Sequence, residues 1–228
     1  MGIDNYCSSA KSCKYCTCRG TYDSKLVELI VKKQLTEHIE KNYTLIEEQS
    51  GFRTNHSCAT ALNLVRVLSK WKNSLNDKMN IVATFLSCFL QRAFETVDGN
   101  ILMTKLRKMG INDTEGKRMT SYLSDIQQQV VVSDTVPLKI NVNMRLPQGT
   151  VLATLIFILY INDVKSCLNH TSIRLFAGDV LVMTVDRNLK NDMRKIQKDI
   201  DYLYIWLCEN KLKLNISKTR FMSVCKYN

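Results

Sequence analysis

Residues 172–185 constrain the fold of this chain more than any other segment, because they are predicted to form two β-strands joined by a tight turn. Both halves are rich in β-branched and apolar residues, and Gly178-Asp179 lies between them. A Gly-Asp pair between such runs is a hairpin signal. A further β-rich run, residues 81–86, is almost fully apolar, as expected for a central strand buried on both faces.

Helical segments are interspersed with these strands. Apolar residues recur at helical spacing, or form an apolar run after a turn, in residues 25–41, 59–75, 101–109, 150–163 and 189–210. Gly110 is predicted to end the third of these helices as its C-cap. Two more strands are predicted at residues 127–133 and 139–144. Because helices and antiparallel strands mix without βαβ regularity, the predicted class is α+β.

The chain is strongly basic. Its 228 residues carry a net charge of +11, and residues 187–228 alone hold ten Lys and Arg against four Asp and Glu. Such an excess favours polyanionic partners, because neutralising phosphates releases counterions. A solvated helix face is the plainer interpretation of the C-terminal charge.

The N-terminal 25 residues differ in composition from the rest. Cys7, Cys13, Cys16 and Cys18 crowd there, which is compatible with a zinc site or with an unstructured leader. No apolar signal-peptide core is present, and the longest apolar run, residues 151–161, is far shorter than the roughly 20 residues of a membrane span. We therefore expect an intracellular protein, nuclear or cytoplasmic, without a membrane partner.

A series of motifs resembles one family in order, spacing and wording. The segments are Gln49-Ser-Gly-Phe-Arg53, Ala93-Phe-Glu-Thr-Val-Asp98, Leu146-Pro-Gln-Gly-Thr-Val-Leu152, Phe157-Ile-Leu-Tyr-Ile-Asn-Asp163, Leu175-Phe-Ala-Gly-Asp179, Asn210-Lys-Leu-Lys-Leu-Asn215 and Ser217-Lys-Thr-Arg-Phe-Met222. Over residues 30–224 the chain resembles the reverse transcriptase of non-LTR retrotransposons.

This resemblance implies a right-hand polymerase fold in which a small antiparallel sheet is flanked by helices. We expect residues 1–25 to form a leader, residues 26–80 part of the fingers, and residues 81–228 the palm, with fingers elements around residues 110–150. A thumb and an endonuclease domain are expected to be missing. The implied activity is RNA-directed DNA synthesis, a nucleotidyl transfer, with Mg²⁺ as cofactor and an RNA template, an RNA–DNA duplex and deoxynucleoside triphosphates as partners.

The metal site implied by the resemblance is incomplete in the sequence. Polymerase chemistry uses two Mg²⁺ ions about 3.5–4 Å apart, held by carboxylates. The family supplies one Asp from the first palm strand and an Asp-Asp pair at the hairpin. Here the pair is Gly178-Asp179, so that only Asp179 is retained, and the first-strand position is Ser87 or Phe89, depending on the alignment.

Other positions match the family residue by residue. Phe94 matches the residue that excludes a ribose 2′-hydroxyl, and Gln148 and Gly149 match a loop beside the incoming nucleotide and template. Arg53 matches a fingers residue that could contact triphosphate or template, and Lys218 matches a lysine that assists pyrophosphate departure. A core aromatic, a plain turn and solvated cations are the structural alternatives.

Three hypotheses follow from these observations. The first is a reverse transcriptase fragment that is catalytically inactive because two metal-binding Asp positions are lost. The second is a nucleic-acid-binding module without catalysis. The third is an active polymerase whose sequence carries errors near Ser87 and Gly178.

Overall fold

A computed structural model describes most of the chain. The described residues are 16–17, 22–42, 44–57, 80–87, 96–114, 116–117, 126–130, 138–142 and 151–224. The chain divides into two compact units, one made of Met1–Thr44 with Phe94–Leu159 and the other of Leu45–Ala93 with Tyr160–Asn228. The proposed boundaries between leader, fingers and palm remain a prediction.

The first unit contains a small antiparallel sheet and helices. Its elements in chain order are β1 (Cys16–Thr17), α1 (Tyr22–Lys41), α2 (Gly99–Lys108), β3 (Ile126–Val130), β4 (Leu138–Val142) and α3 (Val151–Tyr160), whose last residue belongs to the second unit. The strand order is β1-β3-β4. Asp98 caps the start of α2 by accepting hydrogen bonds from two backbone N–H groups, and Gly110 follows its end with a φ of 80°. The predicted glycine cap is therefore confirmed.

The second unit is built on a four-stranded antiparallel sheet. Its strands are β2 (Asn80–Ser87), β5 (Ser172–Phe176), β6 (Asp179–Asp186) and β7 (Arg220–Val224), in the order β5-β6-β2-β7. Strand β2 pairs along both edges, as predicted from its continuous apolar sequence.

Helix α4 (Leu189–Glu209) packs against β2 and β6. The side chain of Thr184 donates a hydrogen bond to Asp192 at 3.0 Å, which shows that the even-numbered residues of β6 face this helix. Val180 and Val182 on that face are fully buried. The predicted apolar stripe of α4 is largely confirmed, with Ile196, Leu203 and Leu207 buried, whereas Met193 is exposed.

Several predictions fall on residues outside the described ranges. They are the helix at residues 59–75, the thiols of Cys7, Cys13 and Cys18, and the site positions Phe89, Phe94, Gln148 and Gly149. Among the described residues, none of the helices combines the length and the apolar composition that a membrane span requires.

Candidate functional site

A two-residue turn joins β5 to β6. Phe176 pairs with Asp179, so that Ala177 and Gly178 form the turn. Ala177 has a φ of 54°, whereas Gly178 has no positive φ, a combination that corresponds to a type II′ hairpin turn. The prediction of a turn at Gly178-Asp179 is thus wrong by one residue, because the pairing with Phe176 makes Asp179 the first residue of β6.

The strand register brings two of the predicted metal-site positions together. Ser87, the last residue of β2, lies directly opposite Asp179 on β6. Of the two candidates for the missing first-strand Asp, Ser87 is therefore the one whose backbone faces Asp179 in the described part of the chain.

Successive side chains of a strand point to opposite faces of the sheet. Thr184 faces α4, and Asp179 is five residues away on β6, so Asp179 lies on the face opposite α4. The residue is partly exposed, yet its Oδ1 atom is buried and has no hydrogen-bond partner among the described residues. A buried carboxylate oxygen normally has a partner. This oxygen lies at the end of the sheet that also carries Ser87 and Gly178.

Lys218 lies at the same end of the sheet. It belongs to the short 3₁₀ turn Ile216–Lys218 that precedes β7, and this turn contacts β2. The residue is exposed. Because β2 ends at Ser87, the lysine is held near the strand ends that carry Ser87 and Asp179. Its assistance to pyrophosphate departure remains a prediction.

Arg53 orders the loop in which it lies. Its Nη1 atom donates to the carbonyls of Ile46 and Gln49, both at 3.1 Å, and the side chain is half-buried. A guanidinium carries five N–H donors, so these two bonds leave others for a ligand. Contact between Arg53 and triphosphate or template remains a prediction.

The structure also pairs motif residues with partners far along the chain. The side-chain oxygen of Asn162 accepts a hydrogen bond from the backbone N–H of Ile46 at 3.0 Å. The hydroxyl of Tyr160, which is fully buried, donates to the carbonyl of Asn210 at 2.8 Å. These residues lie inside the recognised motifs, but their partners are distant in sequence, so motif spacing did not indicate the pairings.

Two buried carboxylates on α4 were missed by sequence analysis. Asp199 accepts hydrogen bonds from the backbone N–H groups of Asn169, His170 and Thr171 and from the Thr171 hydroxyl. Burial alone would raise its pKa, but these bonds outweigh burial and lower it. Asp192 accepts from Thr184 and from the N–H of Asp186, and there burial prevails and raises the pKa.

The model of the family described as "Reverse transcriptase (RNA-dependent DNA polymerase)" matches residues 11–227. The chain belongs to this family. The predicted kinship with reverse transcriptases of non-LTR retrotransposons is confirmed by relatives from Drosophila melanogaster transposons.

Two such relatives are probable RNA-directed DNA polymerases. The one from transposon BS is 26% identical over 204 residues, which cover 86% of this chain and 22% of the relative. The one from the transposon X-element is 26% identical over 207 residues, which cover 89% of this chain and 22% of the relative. The reverse transcriptase domain described here thus spans about a fifth of the length of these relatives.

Solved structures with a similar fold include telomerases. Apo telomerase from Candida tropicalis superimposes with a TM-score of 0.63 at 10% identity, covering 86% of this chain and 36% of the telomerase. Telomerase from Candida albicans in complex with a fragment of telomeric RNA gives a TM-score of 0.56 at 12% identity, covering 90% and 34%. At such identities the likeness concerns the fold alone, and it agrees with the predicted α+β class.

The donor set at the end of the sheet does not fit a pair of Mg²⁺ ions. Asp179 offers one carboxylate, Gly178 offers no side chain, and serine is the residue at position 87. Within the described ranges, no group of three or more His, Cys, Asp or Glu is placed to hold a metal ion. Mg²⁺ requires hard oxygen ligands in near-octahedral geometry, and Asp179 is the one carboxylate among Ser87, Gly178 and Asp179.

Proposed function

We propose that this chain is the fingers-and-palm part of a reverse transcriptase that no longer supports RNA-directed DNA synthesis. The observation that carries the proposal is the register of β2 and β6. It sets Ser87 opposite Asp179, and Gly178 precedes Asp179, so that two of the three carboxylates implied by the family are absent from one location.

The chemical consequence concerns both partners of the reaction. Two metal ions would activate the primer hydroxyl and stabilise the departing pyrophosphate, and both tasks need carboxylates at fixed positions. Displacement of a reacting group by about 1 Å already costs about a hundredfold in rate. Removal of two ligands therefore abolishes measurable nucleotide incorporation.

Template-primed incorporation of deoxynucleotides tests this proposal. With Mg²⁺ or Mn²⁺ present, the chain should incorporate no nucleotide above background, and Asp179→Ala should change nothing. Clear incorporation that Asp179→Ala abolishes would contradict the proposal and would favour an active polymerase.

A restored variant supplies the positive arm of the test. Ser87→Asp combined with Gly178→Asp returns a carboxylate to each of the two positions. The substitution at position 178 meets no left-handed backbone, because Gly178 has no positive φ. Incorporation by this variant at about a hundred times the background or more would assign the silence of the natural chain to the missing carboxylates.

Binding of nucleic acid without synthesis is a second candidate function, favoured by charge placement on the Asp179 face of the sheet. One row of directly opposed residues crosses the sheet from β5 to β7. It consists of Arg174 on β5, Leu181 on β6, Phe85 on β2 and Arg220 on β7. Directly opposed residues share a face. One arginine therefore lies on each edge strand of the face that carries Asp179, in a chain of net charge +11.

The salt dependence of binding to an RNA–DNA hybrid tests this second function. The double change Arg174→Gln and Arg220→Gln should reduce the slope of log affinity against log salt by about two, because each arginine would neutralise one phosphate. The matched control is Lys190→Gln with Lys198→Gln, two exposed lysines on α4, which covers the other face. Equal slopes for both double variants, or no binding at low salt, would exclude this surface.

A further inference from the structure

The segment around Gln49 extends along β5 beside the hairpin. The backbone N–H of Leu175 donates to the carbonyl of Glu48, and the N–H of Ser50 donates to the carbonyl of Leu175, both at 2.9 Å. Gln49 and Leu175 form an isolated parallel bridge. These bonds bring the side chain of Gln49 to the turn that joins β5 to β6.

Gln49 uses both ends of its side-chain amide there. Its Oε1 atom accepts from the backbone N–H of Ala177 at 3.1 Å and from that of Gly51 at 2.8 Å. Its Nε2 atom lies 3.3 Å from the carbonyl of Ala177, to which it donates. The side chain is only 1% exposed, so water does not compete for these bonds.

Ala177 needs such support because of its backbone conformation. Its φ of 54° lies in the left-handed region, which residues with a Cβ rarely adopt. The turn position of Ala177 is one that glycine usually occupies. Gly51 completes the contact, since a Cβ at position 51 would lie 2.0 Å from the backbone nitrogen of Ala177.

We propose that Gln49 is the positioning residue of the hairpin turn. By binding both the N–H and the carbonyl of Ala177, it holds this residue in the left-handed conformation. The turn then closes in two residues, and Asp179 begins β6 opposite Ser87. The role of Gln49 is the same whether or not the domain synthesises DNA.

Residue-resolved amide hydrogen exchange on the full chain tests this role without any activity measurement. In Gln49→Met, which keeps the side-chain length and removes all three bonds, exchange at Ala177 should quicken by roughly tenfold while that of α4 amides is unchanged. Gln49→Glu keeps one acceptor oxygen and, when protonated, one donor, so it should retain slow exchange at Ala177 at about pH 4. Gln197→Met, at an exposed glutamine bonded to Asp201, is the matched control and should change neither the exchange at Ala177 nor that of the α4 amides.

A second substitution separates positioning from general support of the fold. Glycine adopts a positive φ without steric cost, so Ala177→Gly should reduce the sensitivity of the hairpin to Gln49→Met. The amides at the start of β6 should be about as protected in the double variant as in Ala177→Gly alone. If Gln49→Met does not fold, the comparison of this double variant with Ala177→Gly decides the matter.

Three results would overturn the proposal. One is unchanged exchange at Ala177 in Gln49→Met, and another is an equal increase throughout α4, which would indicate global destabilisation. The third is a double variant that loses protection at β6 as fully as Gln49→Met does.

Discussion

The turn of the β5–β6 hairpin and the register position opposite Asp179 differ in the residues found there. At the turn, Gln49 bonds both polar groups of Ala177, Gly51 fits against the same residue, and Asn162 anchors the loop at Ile46. Opposite Asp179, by contrast, serine is the residue at the register position where the proposed metal site needs a carboxylate.

This difference separates two requirements that an active polymerase must meet together. Contacts at the turn stabilise the fold, because buried polar groups there are costly to leave without partners. Carboxylates at a metal site contribute to chemistry, and they repel one another when no cation is bound. Under the proposed function, a chain that no longer synthesises DNA would still fold through the contacts at the turn without the carboxylates of a metal site.

The largest effect on the hairpin turn should come from Gly51→Ala. The new Cβ would lie 2.0 Å from the backbone nitrogen of Ala177. Because this is a backbone atom, rotation of a side chain cannot relieve the clash. We expect a loss of about 3 kcal/mol in the free energy of unfolding, measured by urea denaturation.

Gly110→Ala is the control for that change. Gly110 has a φ of 80°, but a Cβ at this position would meet no atom of the described residues within 4 Å beyond its chain neighbours, so only backbone strain of about 1–2 kcal/mol is expected. A Gly51→Ala protein as stable as the natural chain would show that the loop does not press on the hairpin as described.

A smaller effect is expected at Asp199, a fully buried carboxylate of the framework. Asp199→Asn removes a charge that accepts hydrogen bonds from Asn169, His170 and Thr171, and should cost about 2 kcal/mol at about pH 7. The pKa of Asp199 is lowered in the fold, so its contribution is present above the ordinary carboxyl pKa and is lost as pH falls through the folded value. Denaturation at about pH 7 and at about pH 4 should show a smaller cost at the lower pH.

Asp192→Asn is the matched variant, and its stability cost should have the opposite pH dependence. The pKa of Asp192 is raised by burial, so its contribution is present below the ordinary carboxyl pKa and is lost as pH rises through the folded value. The cost of Asp192→Asn should therefore be larger at acidic pH than at neutral pH. Parallel pH dependences for the two variants would contradict the assignment of their environments.

The smallest effect should come from the ion pair between Lys165 and Glu48, 2.6 Å apart. The lysine side chain is 56% exposed, so Lys165→Met should cost at most about 1 kcal/mol, and high salt should reduce that cost. Unfolding at low and at high salt measures it. A cost above that of Asp199→Asn would show that this end of the Gln49 loop depends on charge rather than on its backbone bonds.

Sequence patterns predicted the regular elements because periodicity is a local signal. Strand β2 was indicated by its continuous apolar run and α4 by its apolar stripe. The turn was misplaced by one residue because Ala177 adopts a positive φ through bonds to Gln49, 128 positions away in sequence. Local propensity favours glycine at such a position and carries no information about a distant amide.

The candidate site was predicted only in part, because motifs are local signals and do not show contacts between distant residues. The motifs identified Asp179, Gly178 and Ser87. The alignment left Ser87 and Phe89 open for the first-strand position, and the strand register sets Ser87 opposite Asp179. Asp199 was not foreseen, because a charged residue on an amphipathic helix ordinarily faces solvent. Its partners are 28 to 30 residues away, which periodicity does not detect.

The most direct test of the central claim compares template-primed nucleotide incorporation by the natural chain and by the Ser87→Asp, Gly178→Asp double variant, at equal protein concentration in Mn²⁺ and Mg²⁺. We expect background incorporation by the natural chain and incorporation by the double variant that Asp179→Ala then abolishes. Incorporation by the natural chain that depends on Asp179 would contradict the claim that this chain no longer supports synthesis, and a folded double variant that remains silent would contradict the assignment of that loss to positions 87 and 178.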